Sequence, residues 1–192
     1  IVCFSFDGIK NITSGEGGAI LTPDRRLLEK MQDGRLLGVK KDTEKRVSNQ
    51  RSWDFDVVSQ GFRFHMSNIN AAIGIEQLKR IELFKEKRQL IVQRYIKILS
   101  LINEVKFLNL NYKEIIPHIF VIKVKNRDGL RDYLLKSGIE CGIPYKPNHM
   151  LQMYSNPLIT LPVTESLYKE IISLPCHVDL SLLEQDYVIQ KI

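Results

Sequence analysis

No apolar run in this sequence approaches the roughly 20 residues that span a bilayer, so no membrane association is expected. The opening "IVCFSF" is too short for the apolar stretch of a secretion signal and has no basic flank before it. Cysteine is scarce: Cys3, Cys141 and Cys176 are widely spaced, match no metal-ligand spacing and form no even disulfide set. No metal site is therefore expected, and a reducing cytoplasm is the simplest compartment. Internal repeats and low-complexity stretches are missing as well. So is an initiating Met: Ile1 opens the chain inside an apolar segment.

What is present is ordinary globular material. The 192 residues suit one large domain or two small ones, and 44% are hydrophobic and 26% charged. The formal net charge is +6. Its lysines and arginines are dispersed in small groups (Lys40-Lys41, Lys79-Arg80, Lys85-Lys87-Arg88), with Asp or Glu near each. A solvated basic face or an anionic small substrate accounts for them better than nucleic acid, which would need a concentrated patch and an aromatic stacking platform.

Periodicity and turn residues outline the elements. Residues 1–6 read as a short buried strand and "SGEGG" as a turn whose glycines are free to take positive φ. "AILT" reads as a second strand. Asp24 caps a helix that stops at Gly38. Residues 39–60 read as a long loop anchored by Trp53 and Phe55. The segment from Met66 to Leu99, capped by Ser67 or Asn68, has helical spacing at Ala72, Ile75, Leu78, Ile81, Leu90, Ile91 and Tyr95. Some 30 residues would make a helix of about 45 Å, a domain connector or a helix bent partway. Beyond residue 100 short elements alternate: a strand at "HIFVIKV", a helix ending at Gly138, a short strand at "IECGIPY", a helix at "LPVTESLYKEIISL", a linker or edge strand at "PCHVDL", and a last helix capped by Ser181. This pattern argues for an α/β or α+β unit, with a boundary near residue 100.

Lys10 stands out. It follows "CFSFDGI" and precedes "NITSGEGG". A lysine there is ordinarily a solvated surface residue. Held at the end of a buried strand, however, it loses hydration, which favours the neutral amine that attacks carbonyls. Ser5 lies in the strand leading to it, and a hydroxyl with free turn amides suits a phosphate. A nucleophilic lysine beside a phosphate cradle is what pyridoxal phosphate needs.

On these residues the sequence resembles the DegT/DnrJ/EryC1/StrS aminotransferases, sugar aminotransferases of fold type I. "SFDGIKNITSGEGGAILT" looks like the family's lysine segment. "WDFDVVSQGFRFHMSNINAAIGIEQLKRIE" is similar to its stretch before the long helix. "PHIFVIKV" through "YKPNH" resembles the start of its small domain, and "SLPCHVDLSLLEQDYVIQKI" its tail. The four segments occur in the family's order and span essentially the whole chain.

The resemblance implies an α/β fold. Residues 1–100 would be the C-terminal part of an aspartate-aminotransferase-like, pyridoxal-phosphate-binding large domain with its long linking helix. Residues 101–192 would be a small α+β domain. Lys10 matches the lysine that forms the Schiff base and moves the proton, Ser5 the serine that binds the cofactor phosphate, and His149 a histidine at the active-site mouth on the substrate side. Glu16, Gly17 and Gly18 match an architectural turn. Two positions depart from the family pattern. Arg63 stands where many members place an Asn that reaches the phosphate across a homodimer, and an arginine reaches a phosphate bidentately. It would alternatively meet the diphosphate of a nucleotide sugar. His65 beside it reads as a packed loop histidine. Asp7 replaces a His or Tyr.

The implied function is amino transfer from glutamate to a nucleotide-linked keto-deoxysugar in surface-polysaccharide or amino-sugar biosynthesis. A cyclitol is an alternative substrate. Lysine rather than histidine at position 10 argues against the family's dehydratase branch. Because the family is about twice this length, the chain reads as a C-terminal half, inactive alone, with the first strand left as an exposed apolar edge. The competing reading is a non-catalytic remnant or interaction module of the same fold.

Overall fold

The computed structural model describes all residues except 41–44, 46–47, 51–54 and 157. It divides into two compact units, Ile1–Arg80 and Ile81–Ile192.

In the first unit, β1 (Val2–Ser5) and β2 (Gly18–Leu21) form an antiparallel two-stranded sheet, with Val2 opposite Leu21 and Ser5 opposite Gly18. The expected burial of β1 is not found. All four of its residues are exposed, and Phe4 is 50% exposed. Among the described residues β1 pairs only with β2, so its other edge has no strand beside it. The exposed apolar edge expected for a half-length chain is what the strand shows.

Helix α1 (Arg25–Gly34) starts where Asp24 accepts hydrogen bonds from the Arg26 and Leu27 amides. Gly38, at φ +75°, reverses the chain four residues past its end. In the stretch read as a loop, Val39 bridges Val57. Phe55 is 55% exposed and anchors nothing, and Trp53 lies outside the described residues. Helix α2 (Asn68–Leu78) is capped by Ser67, whose hydroxyl accepts from the Asn70 amide.

The second unit begins with α3 (Ile81–Leu99). The single long helix read from the sequence is therefore two, interrupted at Lys79-Arg80 by short-turn hydrogen bonding from Arg80 to Gln77. The division into compact units accordingly falls between Arg80 and Ile81. The reason is burial: α3 puts Ile91, Val92, Tyr95 and Leu99 into the core of the second unit. Arg88, read with Lys85 and Lys87 as part of a solvated charge cluster, is 7% exposed. It donates to the carbonyl oxygens of Pro117, His118 and Cys176.

Around that helix stands a three-stranded antiparallel sheet in the order β3 (Lys106–Phe107), β4 (Phe120–Lys123), β5 (Ile171–Leu174). Phe120 is fully buried, stacked on Tyr95 at 5.4 Å and met edge-on by Tyr112 at 5.8 Å. Helix α4 (Arg127–Lys136) follows β4, and two short 3₁₀ turns cover Asn148–Met150 and Gln152–Tyr154. Helix α5 (Pro162–Glu170) ends earlier than its sequence suggests: the β-branched Ile171 and Ile172 leave it to pair with β4 as β5. The expected strand at "IECGIPY" reduces to one bridge, Gly142 to Ser173. Helix α6 (Leu182–Gln190) opens with a full capping box between Ser181 and Glu184.

Among the described residues no helix is long and apolar enough to cross a membrane, and no group of three metal-ligating side chains converges.

Candidate functional site

Lys10 sits in the turn that leaves β1. Asp7 organises that turn. Its amide donates to the Ser5 hydroxyl at 3.4 Å, its carboxylate accepts from the Ile9 amide at 3.2 Å, and its carbonyl accepts from the Lys10 amide at 3.1 Å. Ser5 and Lys10 are thus both hydrogen-bonded to Asp7, which lies between them. Among the described residues no carboxylate lies within ion-pair distance of the Lys10 ammonium, and no acceptor takes the Ser5 hydroxyl proton. Since β1 is exposed, burial is not what distinguishes Lys10; the local turn and an uncommitted amine are.

The chain after Lys10 is held tightly. Thr13 donates to the Phe6 carbonyl at 3.1 Å, and the Ser14 hydroxyl to that of Glu16 at 2.8 Å. Gly15 and Gly17 adopt φ +81° and +143°. A Cβ on Gly17 would meet the Met66 side chain at 2.5 Å and the Ser14 hydroxyl at 3.0 Å. From α2, the Asn70 side-chain Nδ2 donates to the Ser14 carbonyl at 2.6 Å. This agrees with the architectural role expected for Glu16-Gly17-Gly18. Asn70 was not singled out from the sequence; a polar residue near the start of a capped helix carries no signal of what it will clamp.

Arg63 lies on a different segment. The Phe62 amide donates to Gly34 at 2.7 Å and the Phe64 amide to Arg35 at 2.9 Å, so residues 62–64 lie against the end of α1. The rings of Phe62 and Phe64 stack at 5.1 Å, both exposed. Arg63 is exposed, has no carboxylate partner among the described residues, and lines a cleft of about 910 Å³ with Phe4, Arg35 and Ser67. Neither Ser5 nor Lys10 lines that cleft. His65, exposed rather than packed, lines it too.

His149 belongs to the second unit. Its Nε2 lies 3.0 Å from Glu165 Oε1 on α5. The Leu161 amide donates to the same oxygen at 2.9 Å. That backbone bond first, and the histidine second, hold the Glu165 carboxyl below the ordinary carboxylate value. The sequence flagged His149 and not Glu165, because a glutamate in a helical first turn reads as a helix-end charge.

Ser5 and Lys10 bring a hydroxyl and an amine to one strand end, the group types that meet a phosphate and an aldehyde carbonyl.

The sequence profile of the DegT/DnrJ/EryC1/StrS aminotransferase family matches residues 1–192. The UDP-4-amino-4,6-dideoxy-N-acetyl-beta-L-altrosamine transaminase of Campylobacter jejuni is 30% identical over 96% of this chain and 49% of its own length. Among solved structures, a DegT DnrJ EryC1 StrS aminotransferase from Brucella abortus is 32% identical with TM-score 0.83, covering 98% of this chain and 49% of that one. Helicobacter pylori PseC, an aminotransferase involved in the biosynthesis of pseudoaminic acid, is 28% identical with TM-score 0.86, covering 98% and 51%. The chain spans about half the length of the curated relatives it matches.

Proposed function

Because the chain belongs to the DegT/DnrJ/EryC1/StrS aminotransferase family, we propose that it is the C-terminal half of a pyridoxal-phosphate-dependent sugar aminotransferase. The observation that carries this reading is the turn in which Asp7 ties the Ser5 hydroxyl to Lys10 and leaves the lysine without an ion-pair partner among the described residues. When bound, the cofactor supplies an aldehyde for an amine and a ring that takes up negative charge.

The chain's own residues do the rest. Lys10 Nζ is the anchoring amine; once released, it takes a proton from the donor's α-carbon and, in the return half, delivers one to the sugar carbon that gains nitrogen. Ser5 donates its hydroxyl proton to the phosphate. Arg63 offers a bidentate guanidinium to a phosphate oxygen pair, either the cofactor's in a partner subunit or the diphosphate of a nucleotide sugar. The exposed Phe62–Phe64 stack supports placing residues 61–66 at a homodimer interface. His149 contacts the substrate. The substrate class is a nucleotide-linked keto sugar and the amino donor glutamate, and the unpaired cysteines suit the cytoplasm.

A second reading, an inactive half on its own, is favoured by the uncovered apolar strand β1. The 192 residues alone should bind the cofactor weakly and not transaminate, and joining the family's other half should restore both. The test is borohydride reduction of the completed enzyme followed by peptide mass mapping. The pyridoxyl adduct should sit on Lys10, and Lys10→Ala should lower turnover by several orders of magnitude. An adduct on another lysine ends the assignment.

A further inference from the structure

We infer that Glu165 is the positioning residue of His149, fixing its imidazole in the tautomer that leaves Nδ1 as a hydrogen-bond acceptor for a hydroxyl group of a ligand. The inference deepens, and rests on, the proposed substrate-side role of His149.

Three observations carry it. Glu165 Oε1 faces His149 Nε2 at 3.0 Å, and an ionised carboxylate only accepts, so the proton of this bond belongs to Nε2. The carboxylate is itself pinned by the Leu161 amide at 2.9 Å, so the pair is anchored to the backbone at the start of α5 instead of drifting with a side chain. The two side chains keep little freedom, His149 at 11% and Glu165 at 31% exposed. With Nε2 as the donor, a neutral imidazole carries its lone pair on Nδ1. Among the described residues nothing occupies Nδ1.

An acceptor at this position selects ligand chemistry. A sugar hydroxyl donates to it. A phosphate or carboxylate oxygen, having no proton to give, is disfavoured unless the ring is protonated. The tautomer therefore suits His149 to a hydroxyl-bearing part of the substrate rather than to its phosphates. The field of Lys169 also favours the ionised form of the Glu165 carboxylate.

The test reads the tautomer directly, by ¹⁵N imidazole chemical shifts of the full 192-residue chain at a pH where the ring is neutral. His149 should show a protonated Nε2 and a pyridine-like Nδ1. Glu165→Gln, which keeps an acceptor oxygen, should preserve that pattern. Glu165→Ala should return His149 to the averaged shifts of a free imidazole. A protonated Nδ1 in the parent chain, or an unchanged spectrum in Glu165→Ala, overturns the inference. Should Glu165→Ala fail to fold, Val163→Ala serves as the folding control and Glu165→Leu as the second variant. In the completed enzyme, Glu165→Ala should raise KM for the hydroxyl-bearing substrate at least about tenfold, with the Lys10 adduct unchanged, and Glu165→Gln should restore most of it. An unchanged KM for Glu165→Ala overturns the hydroxyl assignment. Loss of the Lys10 adduct in the parent enzyme would instead overturn the proposed aminotransferase reading and leave the tautomer result standing.

Discussion

The two units use similar amino acids to very different ends. In Ile81–Ile192, fifteen buried apolar side chains form one cluster around Tyr95, Phe120 and Ile172. In Ile1–Arg80, Leu36 and Val39 are the buried hydrophobic residues among those described, while Val2, Phe4, Ile20, Leu21, Phe62 and Phe64 face solvent. The difference is not composition but closure. A three-stranded sheet with α3 laid into it encloses a core. A two-stranded hairpin with two short helices does not. The second unit has the means to hold its own shape, and the first has the means to present residues, Lys10 and Ser5 included, from local turns.

The contrast is most sharply tested by thiol labelling. Cys3 is exposed in the first unit and Cys176 buried in the second. Burial pushes the Cys176 thiol up, with Arg88 only partly opposing it, and pushes that of half-buried Cys141 to about 11. Cys3 should be alkylated at least roughly a thousandfold faster than Cys176, which should react only through unfolding of its unit. Equal rates would erase the distinction between the units.

Next in size is a pair of phenylalanine truncations. Phe120→Ala should cost about 3–5 kcal/mol in urea unfolding, whereas Phe4→Ala should stay within about 0.5 kcal/mol. Comparable losses would mean that β1 is covered in solution. Arg88→Ala should cost about 3 kcal/mol, since it leaves three carbonyl oxygens without their charged donor; a loss below about 0.5 kcal/mol would put Arg88 back among the solvated cations. The smallest effect is acid sensitivity. Ser181 lowers the Glu184 carboxyl by hydrogen bonding, and Leu161 and His149 lower that of Glu165. A depressed folded-state value adds stability above the ordinary value of 4.5 and loses it as pH falls through the folded value. Unfolding of the second unit should therefore ease below about pH 4.5, and Glu184→Gln with Glu165→Gln should flatten that slope.

Local chemistry was the legible part of the sequence. Asp24, Ser67 and Ser181 are caps because short oxygen-bearing side chains precede helical periodicity, and each caps as expected. The lysine segment carried the family resemblance. Less legible were features that depend on a distant neighbour. Ile171-Ile172 continue a helical pattern, and only β4 turns them into a strand. Arg88 looks like its neighbours Lys85 and Lys87 until three carbonyls from other segments converge on it. The halt at Lys79-Arg80 contains neither Gly nor Pro, so no breaker announced it. The burial expected of β1 was read from its own side chains, but burial is a property of what lies across from them.

Gly38 and Gly61 bind two stretches of chain more closely than any side chain permits. A Cβ on Gly61 would fall 2.1 Å from the Gly38 nitrogen, and one on Gly38 would fall 1.9 Å from the Ser59 carbonyl oxygen. Gly38 also needs its positive φ. In a saturation library these positions should behave as one locked address: substituting either displaces the other, and no compensating change at the partner restores the fit, because both are already at the smallest residue. Arg63, two residues along, inherits its placement from that lock while its side chain stays exposed in the cleft. Exchange of the Arg63 side chain should therefore leave that joint intact.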